Sequence, residues 1–194
     1  MSTALWTGEF GDAYTRRNRL DWEKRVPFWR EMTATLEPEN VLEVGCNAGW
    51  NLRAIAAAGT NVRQCLGIDA NMGAVVEALQ AGLNAAQMPA EYMTFDGIFD
   101  FVFTAGVLIH VPPATLPRVM ENIIRASRRY VLAIEYAAGQ EEEVPYRDQR
   151  DALWRRPYGA LYEAMGLQLK YGGVADQRNG FDDCVYWLLE KPQP

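Results

Sequence analysis

The sequence predicts an α/β fold, a mostly parallel seven-stranded sheet with helices on both faces and an antiparallel last strand. Three observations carry this. From residue 41 onward, short apolar β-like runs alternate with helical segments, the order that builds a parallel sheet between helices. The last two β-like runs have only a polar Gly/Asn/Asp loop between them, so they form a hairpin and bring one strand in antiparallel. The 194 residues, 49% hydrophobic and 11% aromatic, suffice for one domain with its own core.

The elements follow in order. Residues 1–40 read as a helical, amphipathic lid segment, with Leu20, Trp22, Val26, Phe28 and Trp29 supplying an apolar face before Pro38 breaks the pattern. The main domain, 41–194, opens with a buried strand at 41–44, a turn at 45–49 and a short helix at 51–58 closed by Gly59. A strand at 65–68 leads to a helix at 72–81. Asn71 is its N-cap, Val75, Val76, Ala78 and Leu79 lie largely on one side, and Gly82 ends it. A short third strand falls within 83–88 and a stronger one at 99–104, Phe-Asp-Phe-Val-Phe-Thr. A helix spans 116–126, with Pro112, Pro113 and Pro117 at its irregular beginning, and a fifth strand spans 129–136. Residues 148–165 read as a helix kinked at Pro157, and 167–174 and 184–189 as the closing pair of strands.

Composition excludes several classes of function. A net charge of −6 argues against a nucleic-acid partner, whose phosphates demand clustered Lys and Arg. Arg125, Arg128 and Arg129, and the group Arg147, Arg150, Arg155 and Arg156, read as charged residues on solvated faces. Cys46, Cys65 and Cys184 are far apart and form no CxxC pair, so neither a metal site nor a disulfide framework is expected, and a reducing cytoplasm suits them. The N-terminus lacks the pattern of a signal peptide, and the most apolar stretch, 98–111, is interrupted by Asp100, Thr104 and His110 and is too short to span a membrane. Asp100, an acid inside an apolar strand, needs a partner or partial exposure and reads equally as structural or functional.

A binding loop stands out. Glu43-Val-Gly45-Cys46-Asn47-Ala-Gly49 follows a strand and precedes a helix, the context a nucleotide loop requires, and Asp69 ends the next strand, placed to accept hydrogen bonds from both hydroxyls of a ribose. A dinucleotide fingerprint would read G-x-G-x-x-G; here Asn47 replaces the second glycine, and Glu43, two residues before Gly45, would repel a pyrophosphate. The same carboxylate attracts the ammonium or sulfonium end of S-adenosyl-L-methionine (SAM). The pattern E-x-G-x-N-x-G thus resembles motif I of Rossmann-like methyltransferases, with Asp69 as their ribose acid. That likeness places Glu43, Gly45, Cys46, Asn47, Gly49, Asn51, Asp69, Ala70 and Asn71 at the cofactor, Gln87 or Met88 at the adenine edge, and Thr104, Ala105 and Gly106 beside the sulfonium.

Longer stretches resemble one family more closely. Trp6-x-Gly-Glu-Phe-Gly-Asp-x-Tyr14-x-x-Arg17-Asn18, Gly106-Val-Leu-Ile-His110, Arg129-Tyr130, Glu135-Tyr136, Tyr146-Arg147 and Asp182-Asp183-x-x-x-Trp187-x-Leu-Glu-Lys191 resemble the methylases associated with pseudaminic acid biosynthesis. The resemblance implies a SAM-dependent methyltransferase tied to bacterial surface polysaccharides or nonulosonic sugars, acting on a small-molecule acceptor. The chain departs from the family pattern at Ala105, Asp148 and Pro157, in the region where the acceptor is expected.

Methyl transfer from a sulfonium asks the protein mainly to align acceptor, methyl and sulfur and to exclude water. A hydroxyl acceptor also needs a base. His110, the sole histidine, lies past the fourth strand and reads either as that base or as a hydrogen-bonding residue of the following turn. Glu135 and Tyr136 are further candidates for acceptor contact; Tyr146, Arg147, Asp182 and Asp183 are candidates for acceptor binding; and Tyr14 and Arg17 are candidates for reaching the SAM carboxylate. Two alternatives stay open, an NAD-dependent oxidoreductase on a related fold and a non-catalytic SAM-binding module. The oligomeric state is open.

Overall fold

The computed structural model describes residues 4–59, 61–147 and 151–192. The chain begins with two short helices, α1 (Ala4–Thr7) and α2 (Glu9–Arg17), and a longer α3 (Val26–Leu36). Then come β1 (Asn40–Val44), α4 (Trp50–Ala57), β2 (Gln64–Asp69), α5 (Met72–Gln80), β3 (Ala85–Gln87), β4 (Phe99–Ala105), α6 (Leu116–Ala126) and β5 (Ser127–Glu135). Two-residue strands β6 (Glu142–Glu143) and β7 (Trp154–Arg155), helix α7 (Tyr158–Ala164), and strands β8 (Gln168–Ala175) and β9 (Cys184–Glu190) complete it.

The main sheet has seven strands in the order β3-β2-β1-β4-β5-β9-β8. All pairings through β5 are parallel, while β9 lies antiparallel between β5 and β8. Alternation along the strands sends side chains to two cores. Val41, Phe101, Phe103, Leu132 and Ile134 pack with Trp29 of α3 and Ile55 of α4; Leu42, Val44, Val102, Val131 and Ala133 pack with Met120 and Ile123 of α6 and Tyr158 and Tyr162 of α7. The strand order reverses between β1 and β4, and at such a switch point the loops after the strands part and leave a crevice. No helix among the described residues is long and apolar enough to cross a membrane.

The N-terminal segment is helical, as expected, in the pieces α1, α2, a 3-10 turn at Trp22–Arg25 and α3. Several expectations need correction. Val75 and Ala78 of α5 are buried, but Val76 and Leu79 are 42% and 50% exposed, because α5 covers only the sheet edge at β2 and β3 and its outer turns face water. The helix expected over 148–165 begins only at Tyr158; Asp148 and Arg150 lie outside the described residues, Trp154–Arg155 form β7, and Pro157 caps the helix start instead of kinking it. Arg156, expected on a solvated face, is fully buried. Asp100 is structural, since its Oδ2 accepts the backbone N–H groups of Glu39 and Asn40 over 3.1 and 2.9 Å and so ties the start of β4 to that of β1.

Candidate functional site

A cavity of about 620 Å³ opens at the carboxyl ends of β1, β2, β4 and β5, within the range typical of small-molecule sites. Its floor is the loop after β1. Gly45 and Gly49 both have φ +76°, and the backbone turns so sharply that the N–H groups of Gly45 and Cys46 both reach Ile68 O, at 2.7 and 2.9 Å. Asn47 also has positive φ, +48°, tolerated because its side-chain oxygen bonds the next N–H, that of Ala48, at 2.7 Å.

Two acids face this floor from different strands. Asp69 takes one backbone N–H on each oxygen, Asn47 N–H on Oδ2 and Asn71 N–H on Oδ1, both at 2.8 Å. Burial raises its pKa, against the pull of those amides. Glu43 is 2% exposed; Oε1 accepts from Asn51 Nδ2 at 2.7 Å, while Oε2 is buried without a protein partner. Burial pushes Glu43 up to about 8. Beside it Arg25, which sequence reasoning missed, donates from Nη1 to Asn51 Oδ1 (2.8 Å) and from Nε to Gly180 O (2.8 Å) and stacks 4.1 Å from the Phe181 ring centre. Its place beside Asp21, Glu23 and Lys24 reads as solvated surface, and it is the packing of the 3-10 turn Trp22–Arg25 on α4 that brings it inward.

The wall opposite is aromatic. The His110 ring lies 4.4 Å from Trp6, 5.4 Å from Tyr146 and 6.1 Å from Tyr14, centre to centre. His110 Nδ1 is 2.7 Å from Ala152 O, so Nδ1 carries the proton and Nε2 keeps its lone pair. Burial holds this imidazole down at about 4, hence neutral. Tyr136 donates to Asp182 Oδ2 at 3.2 Å, and burial raises both its phenol and that of Tyr14. At the mouth, the Arg118 guanidinium sits 5.9 Å from the Tyr92 ring centre, another pair missed from sequence since neither residue falls in a recognisable motif.

The cavity thus gathers Glu43, Gly45, Cys46, Asn47, Asn51, Asp69, Ala70, Asn71, Met88, Ala105, Gly106, Tyr14, His110, Tyr136, Tyr146 and Asp182. The other expected residues lie off its wall. Gly49 turns the chain into α4 from behind the loop, packed toward Leu83. Gln87 bonds back to Ala70 O at 3.0 Å, and Thr104 is buried on the opposite face of β4 from Ala105. Arg17 stacks on Phe10 and Tyr14 instead of entering the cavity, with Nε and Nη2 buried and unpartnered. Arg147 is exposed beside Tyr146, and Asp183 is exposed before β9. Glu135 is fully buried and turned into the backbone after β4, so it does not line the cavity. Among the described residues no group of His, Cys, Asp or Glu gathers to hold a metal ion, and the cysteines are free thiols.

Fold and site together define a class: the architecture is the Rossmann-like fold of SAM-dependent methyltransferases. Residues 41–130 match a family model described as a methyltransferase domain. The chain is 32% identical over 106 residues to a ubiquinone biosynthesis O-methyltransferase of Ralstonia nicotianae, a match over 50% of this chain and 43% of that enzyme, so it spans less than half of that relative's length. Magnesium protoporphyrin IX methyltransferase of Synechocystis PCC 6803, solved with S-adenosylhomocysteine, superposes with TM-score 0.73 over 98% of both chains at 13% identity. The 1,6-didemethyltoxoflavin-N1-methyltransferase of Burkholderia thailandensis superposes with TM-score 0.71 over 98% of this chain and 85% of that one at 14% identity.

Proposed function

We propose that the protein is a SAM-dependent methyltransferase acting on an oxygen or nitrogen of a small-molecule acceptor. The observation that carries this reading is the unpartnered, buried Oε2 of Glu43 beside the Arg25 guanidinium in a cavity that Asp69 also lines. A buried acceptor without a partner is costly unless a ligand supplies the donor, and the donor set fits an amino-acid end plus a nucleoside. Glu43 receives the ammonium, Arg25 pairs with the carboxylate in place of the expected Arg17, Asp69 holds the ribose hydroxyls and Met88 borders the adenine. When bound, the cofactor supplies an electrophilic methyl on sulfur. Trp6, Tyr14 and Tyr146 exclude water and orient the acceptor. His110 Nε2, its lone pair fixed by the Nδ1 bond to Ala152, takes the proton of an acceptor hydroxyl.

Residues 1–40 act as a lid. Asn71 Nδ2 ties the segment to the cofactor loop by donating to Asp12 Oδ1 (2.8 Å) and Trp6 O (3.1 Å), and an Arg19–Glu77 ion pair adds a second tether. The acceptor is a nonulosonic or nucleotide-linked sugar: the aromatic wall suits the apolar faces of a sugar ring, Arg118 suits a carboxylate or phosphate, and the family resemblance points to surface polysaccharide synthesis, with the unpaired cysteines suiting a reducing cytoplasm. Calorimetric titration with S-adenosylhomocysteine tests the cofactor reading, with one site and a dissociation constant on the order of 1–100 μM expected. A silent titration overturns it. Transfer of labelled methyl to candidate sugars then tests the acceptor.

A further inference from the structure

The turn that carries His110 is held from two sides by charged groups that never reach the cavity. Glu135, the last residue of β5, shares a sheet face with Val131 and Ala133 and so points toward α6 and α7, away from Glu43's side. Its Oε1 accepts the N–H groups of Val107 and Leu108 at 3.2 and 3.1 Å, and Oε2 accepts that of Ile109 at 3.4 Å. From the opposite direction, Arg156 Nη1 donates to Leu108 O at 3.0 Å while its Nε pairs with Glu141 Oε2 at 2.6 Å. The two ends of Leu108 are therefore taken by a carboxyl and a guanidinium, both from side chains with no exposure. Residues 152–156 supply Arg156 and also the Ala152 carbonyl that accepts from His110 Nδ1.

Burying charge is expensive, and a surface turn could satisfy its amides with water. A buried carboxyl and a buried guanidinium hydrogen-bonded to one turn restrict that turn to one geometry. We infer that Glu135 and Arg156 are positioning residues, clamping residues 106–110 so that His110 meets the acceptor in a single tautomer with Nε2 free. The inference rests on the methyltransferase reading for its purpose, but the clamp shares no hydrogen bond with Glu43, Asn51 or Arg25 among the described residues, so the two can fail separately.

Because the chain has a single histidine, long-range proton–nitrogen spectra of the labelled protein report one imidazole without assignment. The wild type is expected to show the Nδ1–H tautomer alone. Glu135→Gln removes one of the two accepting oxygens, and Arg156→Lys keeps the charge but loses the fork that spans Glu141 and Leu108. Each is expected to mix the two tautomers, move the imidazole midpoint upward by roughly one unit, and speed amide exchange at Val107–Ile109, with S-adenosylhomocysteine affinity changed less than about threefold. An Nε2–H tautomer in the wild type, or an unchanged imidazole in a folded variant, overturns the clamp. If both variants fail to fold, the wild-type tautomer still decides. Normal spectra beside a silent S-adenosylhomocysteine titration leave the clamp standing and remove the methyltransferase reading instead.

Discussion

Glu43 and Arg25 are joined by one amide: Asn51 donates to Glu43 Oε1 over 2.7 Å and accepts from Arg25 Nη1 over 2.8 Å. Trp29 Nε1 adds a third contact, to Asn51 Oδ1, at 3.2 Å. The amide cannot turn over without losing all three bonds, so it orients both charges at once. Glu43→Gln keeps the volume and the link to Asn51 while deleting the charge. A charge-assisted hydrogen bond contributes about 1.5–3 kcal/mol, so affinity for S-adenosylhomocysteine should fall roughly 10- to 100-fold by calorimetry. Unchanged affinity would detach Glu43 from the ammonium.

Binding should also release protons. Burial raises Glu43 to about 8, so much of it is protonated at neutral pH in the free protein. An ammonium partner favours the carboxylate and draws that pKa down, so affinity for S-adenosylhomocysteine should strengthen as pH rises from 6 toward 8. Calorimetry in buffers of different ionisation enthalpy counts the protons released near neutrality. Glu43→Gln should flatten the dependence, and a slope that survives the substitution assigns it to another group.

Stability should decline above neutral pH. Glu43 and Glu135 have folded pKa values of about 8 and about 7 against an ordinary value of 4.5, both raised chiefly by burial. Between 4.5 and 8 the native state therefore holds more protons than the unfolded chain, and stability falls as pH rises. His110, lowered to about 4 from 6.5, works the other way, but only below 6.5. The expected result is a melting temperature that falls between pH 6.5 and 8.5, measured by calorimetry without ligand. A rising melting temperature across that window contradicts the buried state of both acids.

The parallel sheet, the antiparallel last strand and the loop after β1 were legible because each has a local signature: alternation of runs, a missing helix, and a strand–turn–helix with a distant acid. Glu43 and Asp69 came from that last signature, Glu43 at the loop after β1 and Asp69 at the end of β2. Arg25, Arg118 and Arg156 did not, because an arginine in the sequence looks the same whether its backbone turns it outward or inward. Glu135 was misplaced for a related reason. The end of a strand marks a residue as near the crevice, but strand alternation and the following turn decide which way it points. Arg17 and Arg25 differ in what their segments pack on, information that resides in the 3-10 turn Trp22–Arg25 meeting α4.

The loop and the clamped turn meet where Gly45 faces Val107, which makes Gly45 a demanding position. A Cβ built there would lie 2.4 Å from Val107 Cγ2 and 2.9 Å from Cγ1, and its φ of +76° disfavours any side chain. Val107 cannot retreat freely, since its N–H is held by Glu135. Gly45→Ala should therefore destabilise the protein by at least about 2 kcal/mol, of which the left-handed backbone accounts for about 1–2 and the clash for the rest. Val107→Ala removes both γ-methyls, so in that background Gly45→Ala should lose only the backbone part. Denaturant melts of the two single variants and the double variant give a coupling of at least roughly 0.5 kcal/mol. Strict additivity would mean that the methyl finds room beside Val107, and that the loop after β1 and the His110 turn are not in steric contact.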